Sequence, residues 1–385
     1  MKIAVVMYTN GALSGGAAKY LHRMMPRLLE NASVDDIRLF LPHGALSDIP
    51  GHWPVSQWKP GFFRGRAIRR LVRDFCPDVV FVPSARWIDP GKAGAVVMVR
   101  NMEPLERPVR NGGLLDMARQ FARRWVARQA CARADRVIAV SQHVADWLKS
   151  NWNLDSDRVT VIPHGVDTAE EGLAPSGATA LAGKRFIFSA GSIRPARGLM
   201  DLIQAMAEPD FPDDLHLVFA GRPDTGGADY YAMVLAAVEQ HGLDARVHWL
   251  GQCAQRQMDW GFQNCDLFVM TSRAEACPNI VLEALSAGCL SVSCDTQPMP
   301  EFFGPAALYY ESGNSVSLAA GVCEALALPA KRRDEFRRTA RERAALFSWE
   351  HCATQTRTLL ADVHYVEKRK YDLRHASDIE GGDVN

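Results

Sequence analysis

Ser272 to Ala284 reads S-R-A-E-A-C-P-N-I-V-L-E-A and sets two carboxylates, Glu275 and Glu283, eight residues apart. Spacing alone does not make a site, because Glu342 and Glu350 stand at the same separation. Their settings differ. Glu342 and Glu350 lie in a charged helical stretch and at its exit, where a solvated face explains them. Glu275 follows a short apolar run, Leu267 to Met270, of the kind that forms a buried parallel strand. Pro278 suits the first turn of a helix, where its missing N–H costs nothing. That helix is predicted to run to about Ala287 and stop at Gly288, with the next strand opening at Leu290.

A strand–helix–strand unit of this kind puts its turn at the carboxyl end of a sheet, where open α/β sheets bind ligands. The N–H groups of Asn279, Ile280 and Val281 are expected to point out of the helix start toward an anion. Glu283, about a turn further in, is placed to accept hydrogen bonds from hydroxyls. Anion donors flanked by two carboxylates suit a ligand that carries both phosphate and sugar hydroxyls. A second loop fits the same ligand. Phe186 to Gly198 reads F-I-F-S-A-G-S-I-R-P-A-R-G, a strand emptying into a turn with Gly191, Ser192, Arg194 and Arg197. Arginine gives permanent charge and bidentate contacts, which match a diphosphate unless these side chains only solvate the loop. A third loop, Asn10 to Gly16, follows the first apolar run and precedes a helix. It is not G-x-G-x-x-G, so it is either a phosphate-approaching turn or only a turn.

Short apolar runs alternate with longer amphipathic stretches along the chain. In the first half they are Ile3–Met7, Ile37–Leu41, Val79–Val82, Ala95–Val99, Val137–Val140 and Val159–Ile162. They restart at Phe186–Ser189, Leu215–Ala220, Val247–Leu250, Leu267–Met270, Leu290–Ser293 and Ala307–Tyr310. The alternation predicts α/β architecture, with two doubly wound Rossmann-like domains. The Gly/Pro/Ser/Ala-rich stretch Glu171 to Gly183 reads as a linker with little structure. Residues 367–385 read as a polar tail.

The 385 residues carry zero formal net charge. Charge is uneven all the same: residues 1–163 hold 24 Lys+Arg against 14 Asp+Glu, and the remainder 20 against 30. The basic half is expected to face something anionic. Phe62–Phe75 and Leu114–Arg136 both interleave arginines with apolar residues. Each is either a basic helix for an anionic membrane surface or a solvated face packed on a core. Nucleic acid is not expected, since no helix-turn-helix, zinc-finger or RNA-binding signature accompanies the arginines. Nine scattered cysteines without C-x-x-C spacing point to reduced thiols and a cytoplasmic setting, peripheral on the inner face of a membrane if the basic helices dock there. No apolar run is long enough to span a bilayer.

Taken together, these loops resemble the retaining GT-B glycosyltransferases of family 4. The Glu275/Glu283 segment, with Ala284, Leu285, Ala287, Gly288 and Glu301, is similar to that family's two-glutamate signature. Val137–Gln142 and Val161–Asp167 resemble its interdomain passage, Gly221 and Gly251 its second-domain strand ends, and Phe347–Glu350 the start of its last helix. The resemblance implies two Rossmann-like domains facing across a cleft. An acceptor domain would cover residues 1–165 plus a returning helix at about 350–366, and a nucleotide-sugar domain residues 166–349. It further implies that Glu283 binds ribose hydroxyls and Glu275 holds the transferred sugar. Pro278, Asn279, Ile280, Val281, Gly191, Ser192, Arg194 and Arg197 would line the donor, with Gly16 touching phosphate. Arg197 is the expected electrostatic group. Arg100, Asn101 and Ser141 fall on the acceptor side. The expected partners are a nucleotide-sugar donor and a glycan or lipid-linked acceptor for cell-surface polysaccharide or lipopolysaccharide, with no cofactor and no metal.

Two departures from the family pattern stand out. Ser192 replaces a usual arginine, with Arg194 offered in a shifted position, and Arg100-Asn101 stands where a histidine is common. They leave open a degenerate subunit that binds donor without transfer, as the scaffold leaves open an epimerase or hydrolase. Asp155-Ser156-Asp157 mimics the metal-binding D-x-D of another glycosyltransferase fold but reads as a polar turn.

Overall fold

A computed structural model describes residues 1–9, 15–30, 36–45, 53–59, 61, 64–106, 114–224 and 226–380. The chain divides into two compact units. One holds Met1–His164 and Trp349–Asn385, the other Gly165–Ser348.

Among the described residues of the first unit seven strands form a parallel sheet: β1 (Ile3–Val6), β2 (Ile37–Pro42), β3 (Val55–Trp58), β4 (Val79–Val82), β5 (Gly94–Val99), β6 (Arg136–Ala139) and β7 (Val159–Val161). Their order is β3-β2-β1-β4-β5-β6-β7. In the second, β8 (Arg185–Ala190), β9 (Leu215–Ala220), β10 (Val247–Gly251), β11 (Leu267–Met270), β12 (Ser291–Cys294) and β13 (Ala307–Tyr310) pair in the order β10-β9-β8-β11-β12-β13. Both orders reverse direction beside the unit's first strand, which defines the switch point of a doubly wound sheet. Apolar runs such as Val79–Val82 and Leu267–Met270 are buried throughout, as strands covered on both faces require. β3 has no counterpart among the predicted runs. Only Trp58 of its four residues is fully buried, so its apolar signal is weak.

In the second unit the Leu199–Met206 helix packs with Ala228–Gln240 and Ser315–Ala327. The Asn279–Ala287 helix packs instead with Gln255–Asn264 and Ala330–Ala344. Right-handed crossovers that run in opposite directions from β8 and β11 leave their helices on opposite faces.

The Glu171–Gly183 stretch is not a free linker. The unit boundary falls at His164/Gly165, and the stretch is tied to the Gln255–Asn264 helix. Leu173 N–H donates to the Arg256 carbonyl (2.8 Å), Gly172 N–H to Gln263 Oε1 (3.0 Å), and Gln263 Nε2 to the Glu170 carbonyl (2.6 Å). Its anchors are largely backbone groups, which composition does not reveal. At the unit's ends, Val166 N–H donates to the Phe347 carbonyl (2.9 Å), and Val166 bridges Ser348.

The chain then re-enters the first unit. Trp349, buried, stacks on His164 with ring centroids 5.8 Å apart, and Tyr20 completes the cluster 5.4 Å from His164. The Trp349–Glu380 helix runs on past Val366, so residues 367–380 of the expected tail continue as helix, while 381–385 lie outside the described residues. It presses so closely on β5 that a Cβ at Gly94 would lie 2.3 Å from Val363 Cγ1. Among the described residues no helix is long and apolar enough to cross a membrane.

Gly94→Ala is expected to lower stability by about 1–3 kcal/mol through overpacking. Adding Val363→Ala should restore part of it. Urea unfolding of the two variants measures both effects, and an unchanged midpoint for the single variant would refute the close contact.

Candidate active site

β8 and β11 are neighbours, so the turns that leave them open side by side at the switch point. Two glycines let those turns meet. Gly198, at φ +64°, ends the Pro195–Arg197 3₁₀ turn, and a Cβ there would lie 2.3 Å from the Thr271 carbonyl oxygen. Gly191, at φ +127°, lets the Arg197 guanidinium lie over it, 3.0 Å from where a Cβ would stand. Backbone groups then lace the turns together. The Thr271 hydroxyl donates to the Arg197 carbonyl (2.6 Å), and Arg273 N–H donates to the Ala196 carbonyl (2.8 Å).

This lacing delivers Arg197 to Glu275. Arg197 Nη1 lies 2.6 Å from Glu275 Oε1 and donates to Ser272 Oγ at 3.1 Å. The side chains are only 17% and 12% exposed, so solvent screens the pair weakly. The two charges assigned separate tasks in the sequence therefore hold each other. Beneath them Arg273 pairs with Asp201, a buried carboxylate in the first turn of the Leu199–Met206 helix. Arg194 reaches toward Asp224 at 3.8 Å. Ser192 is half-buried on the same turn.

The Asn279–Ala287 helix starts at the same edge, with Pro278 at its N-cap rather than in its first turn, and Gly288 closes it at φ +74°. The expected trio of outward N–H groups is corrected. Val281 N–H donates to the Pro278 carbonyl at 3.0 Å, and Leu282 N–H shares that acceptor at 3.3 Å. The tight first turn thus spends the Val281 N–H inside the helix. Glu283 is half-buried, one turn along the helix. The decoy pair is unlike it in every respect. Glu342 pairs with Arg338 (3.6 Å) and Glu350 with Arg27 (3.4 Å), they are 65% and 59% exposed, and they belong to different units.

In the first unit, Gly16 is exposed at the start of the Gly15–Leu29 helix, while Asn10–Ser14 of that loop lie outside the described residues. Arg100 follows β5 and lays its guanidinium over the Tyr20 ring, 5.9 Å from the centroid. Asn101 is exposed, and its Oδ1 accepts from Glu103 N–H (3.1 Å). Ser141 is fully buried, and its hydroxyl caps the Gln142–Trp152 helix by accepting from Val144 N–H, a structural role. Asp155 accepts from Asp157 N–H (3.1 Å) within a 3₁₀ turn, so this D-x-D caps its own backbone.

Sequence reasoning passed over Thr271, Ser272, Arg273 and Asp201. A clue was present, because Arg273 is a charged residue three positions beyond a buried strand, and such a charge needs a partner.

Two doubly wound parallel sheets, with charged turns laced across the switch point of the second, define the GT-B fold. The chain belongs to the family 4 glycosyltransferases. The model described as "Glycosyltransferase Family 4" matches residues 14–170, and "Glycosyl transferases group 1" matches residues 177–343. A D-inositol 3-phosphate glycosyltransferase of Stackebrandtia nassauensis is 26% identical over 256 residues, 62% of this chain and 56% of that protein. An alpha-maltose-1-phosphate synthase of Mycolicibacterium smegmatis is 30% identical over 253 residues, 60% of this chain and 64% of that protein. The chain thus spans less than two thirds of either relative. The crystal structure of Anabaena HepE in complex with UDP-glucose superposes with a TM-score of 0.75 at 19% identity, covering 94% of this chain and all of that one.

A double-mutant cycle on Arg197→Met and Glu275→Gln is expected to give a coupling energy of about 1–3 kcal/mol in chemical unfolding. Additive effects would show that the pair carries no energy.

Proposed function

We propose that this protein is a retaining glycosyltransferase, moving a sugar from a nucleoside-diphosphate sugar to a glycan or lipid-linked acceptor without a metal. The observation that carries the reading is the Arg197–Glu275 pair at the β8/β11 switch point, beside the start of the Asn279–Ala287 helix. An arriving diphosphate competes with Glu275 for the guanidinium. Arg197 then faces the phosphate oxygen on which charge accumulates as the anomeric C–O bond breaks. Glu275, released, accepts hydrogen bonds from the transferred sugar, and Glu283 accepts them from the ribose. The acceptor oxygen bonds to the anomeric carbon on the face the phosphate leaves, and its proton passes to a phosphate oxygen. The carboxylates position the donor, in contrast to the acid and nucleophile of a glycosidase.

The two basic helices of the first unit differ. Arg64–Phe75 buries Ile68, Val72 and Phe75, and its Arg69 and Arg70 pair with Asp89 and Asp74. That is an ordinary surface helix. Leu114–Arg133 instead presents Met117, Phe121 and Trp125, 51%, 73% and 55% exposed, at successive turns among Arg119, Arg123, Arg124 and Arg128. Large apolar side chains framed by arginines suit an anionic membrane surface, which supports a lipid-linked acceptor in cell-surface polysaccharide synthesis and a peripheral site on the cytoplasmic face.

Glu283→Ala is expected to weaken donor binding about 10–100-fold, the loss of hydrogen bonds to a charged group. Arg197→Gln should lower kcat about 10²–10³-fold. Titration and turnover against UDP-, GDP-, ADP- and CDP-sugars measure both, and wild-type values in both variants would refute the assignment. Donor consumption without acceptor would mark a hydrolase or epimerase, and binding without transfer a degenerate subunit. In vesicle sedimentation, Phe121→Ser with Trp125→Ser should weaken binding to phosphatidylglycerol about tenfold. Binding indifferent to salt, to anionic lipid and to these changes would count against docking.

A further inference from the structure

We infer that Arg100 forms an anion subsite in the first unit, and that a substrate brings it an oxyanion, phosphoryl or carboxylate, other than the donor's diphosphate. The inference rests on the glycosyl-transfer reading and deepens it on the first unit's side.

Arg100 is the first residue beyond β5, at the carboxyl edge where parallel sheets receive ligands. Its Nη1 is closed off from solvent and makes no hydrogen bond with any described residue. Arg27, Arg194, Arg197 and Arg273 each have a closed-off nitrogen of the same kind, but each of them faces a carboxylate: Glu350 (3.4 Å), Asp224 (3.8 Å), Glu275 (2.6 Å) and Asp201 respectively. A guanidinium drawn out of water without an acceptor is unfavourable, and burial lowers the Arg100 pKa accordingly.

The surroundings do not provide the missing charge. Tyr20 offers its ring face, and burial pushes its own pKa well up, so it stays neutral. Glu106, on the short helix after β5, is committed to His143 Nε2 at 2.6 Å. Asn101 uses its Oδ1 on Glu103 N–H.

What does surround Arg100 supports it from one side. Tyr20 packs against His164, which stacks on Trp349, so the ring beneath the guanidinium is held in the core. The half-buried guanidinium resting on that ring keeps donors besides Nη1 for a phosphoryl or carboxylate group. The donor's diphosphate has its own cation in Arg197, in the other unit. The anion at Arg100 therefore belongs to another part of the substrates, either the acceptor or an acidic transferred sugar.

The test uses the full chain with inorganic phosphate, glucose 1-phosphate and glucuronate as probes, each titrated calorimetrically with UDP or GDP saturating the donor site. Arg100→Gln should lose at least tenfold in affinity for one probe class, and Arg100→Lys should recover part of it. Loss confined to the phosphates identifies a phosphoryl-bearing substrate, and loss confined to glucuronate an acidic sugar. Equal affinity of wild type and Arg100→Gln for every probe, or no binding by wild type, would overturn the inference. Circular dichroism and nucleotide binding confirm that each variant is folded. A protein that binds nucleotide and transfers sugar but ignores all probes at Arg100 loses this inference alone.

Discussion

The ligand edge of the second unit depends on how closely the turn after β8 approaches the turn after β11. The helices beyond these strands lie on opposite faces of the sheet, so the turns diverge and would leave a gap between them. Gly198 against the Thr271 carbonyl, and the hydrogen bonds from Thr271 and Arg273 to the 3₁₀ turn, draw the two sides together. With that approach Arg197 reaches across to Glu275, and a Cβ at position 191, at φ +127°, would crowd its guanidinium at 3.0 Å. A side chain at either glycine would crowd the approach that brings together charges lying 78 positions apart in the chain.

Much of this was legible in the sequence, and what was not has physical reasons. Strands such as Val79–Val82 and Leu267–Met270 announce themselves because burial on both faces demands continuous apolar runs. The Glu275/Glu283 segment could be told from its decoy because strand, turn and helix cap leave marks in local composition. β3 was hidden because Val55, Ser56 and Gln57 are only half-buried. The anchoring of Glu171–Gly183 was hidden because backbone groups supply it. Local patterns also overstate what a helix start offers, since a tightened first turn spends the Val281 N–H on Pro278.

The same limit explains the arginines. Sequence shows that a charge is permanent but not what it meets. Arg197 finds a carboxylate, Arg273 another, and Arg158 a set of carbonyls, while Arg100 finds an aromatic face. The two basic helices look alike in composition, yet only tertiary packing decides that one turns Phe75 inward while the other turns Phe121 and Trp125 outward. The arginines of both units are thus several local solutions to one question, namely which anion each cation answers.

The way the chain enters and leaves the second unit has an evolutionary consequence. Val166 and Phe347 are hydrogen-bonded within that unit, and His164 and Trp349 stack within the other. Gly165–Ser348 is therefore an inserted cassette whose two ends meet, and its host closes on itself at the same junction. Recombination at two neighbouring splice points could exchange one half without opening the core of the other, so the two halves are free to diversify at different rates.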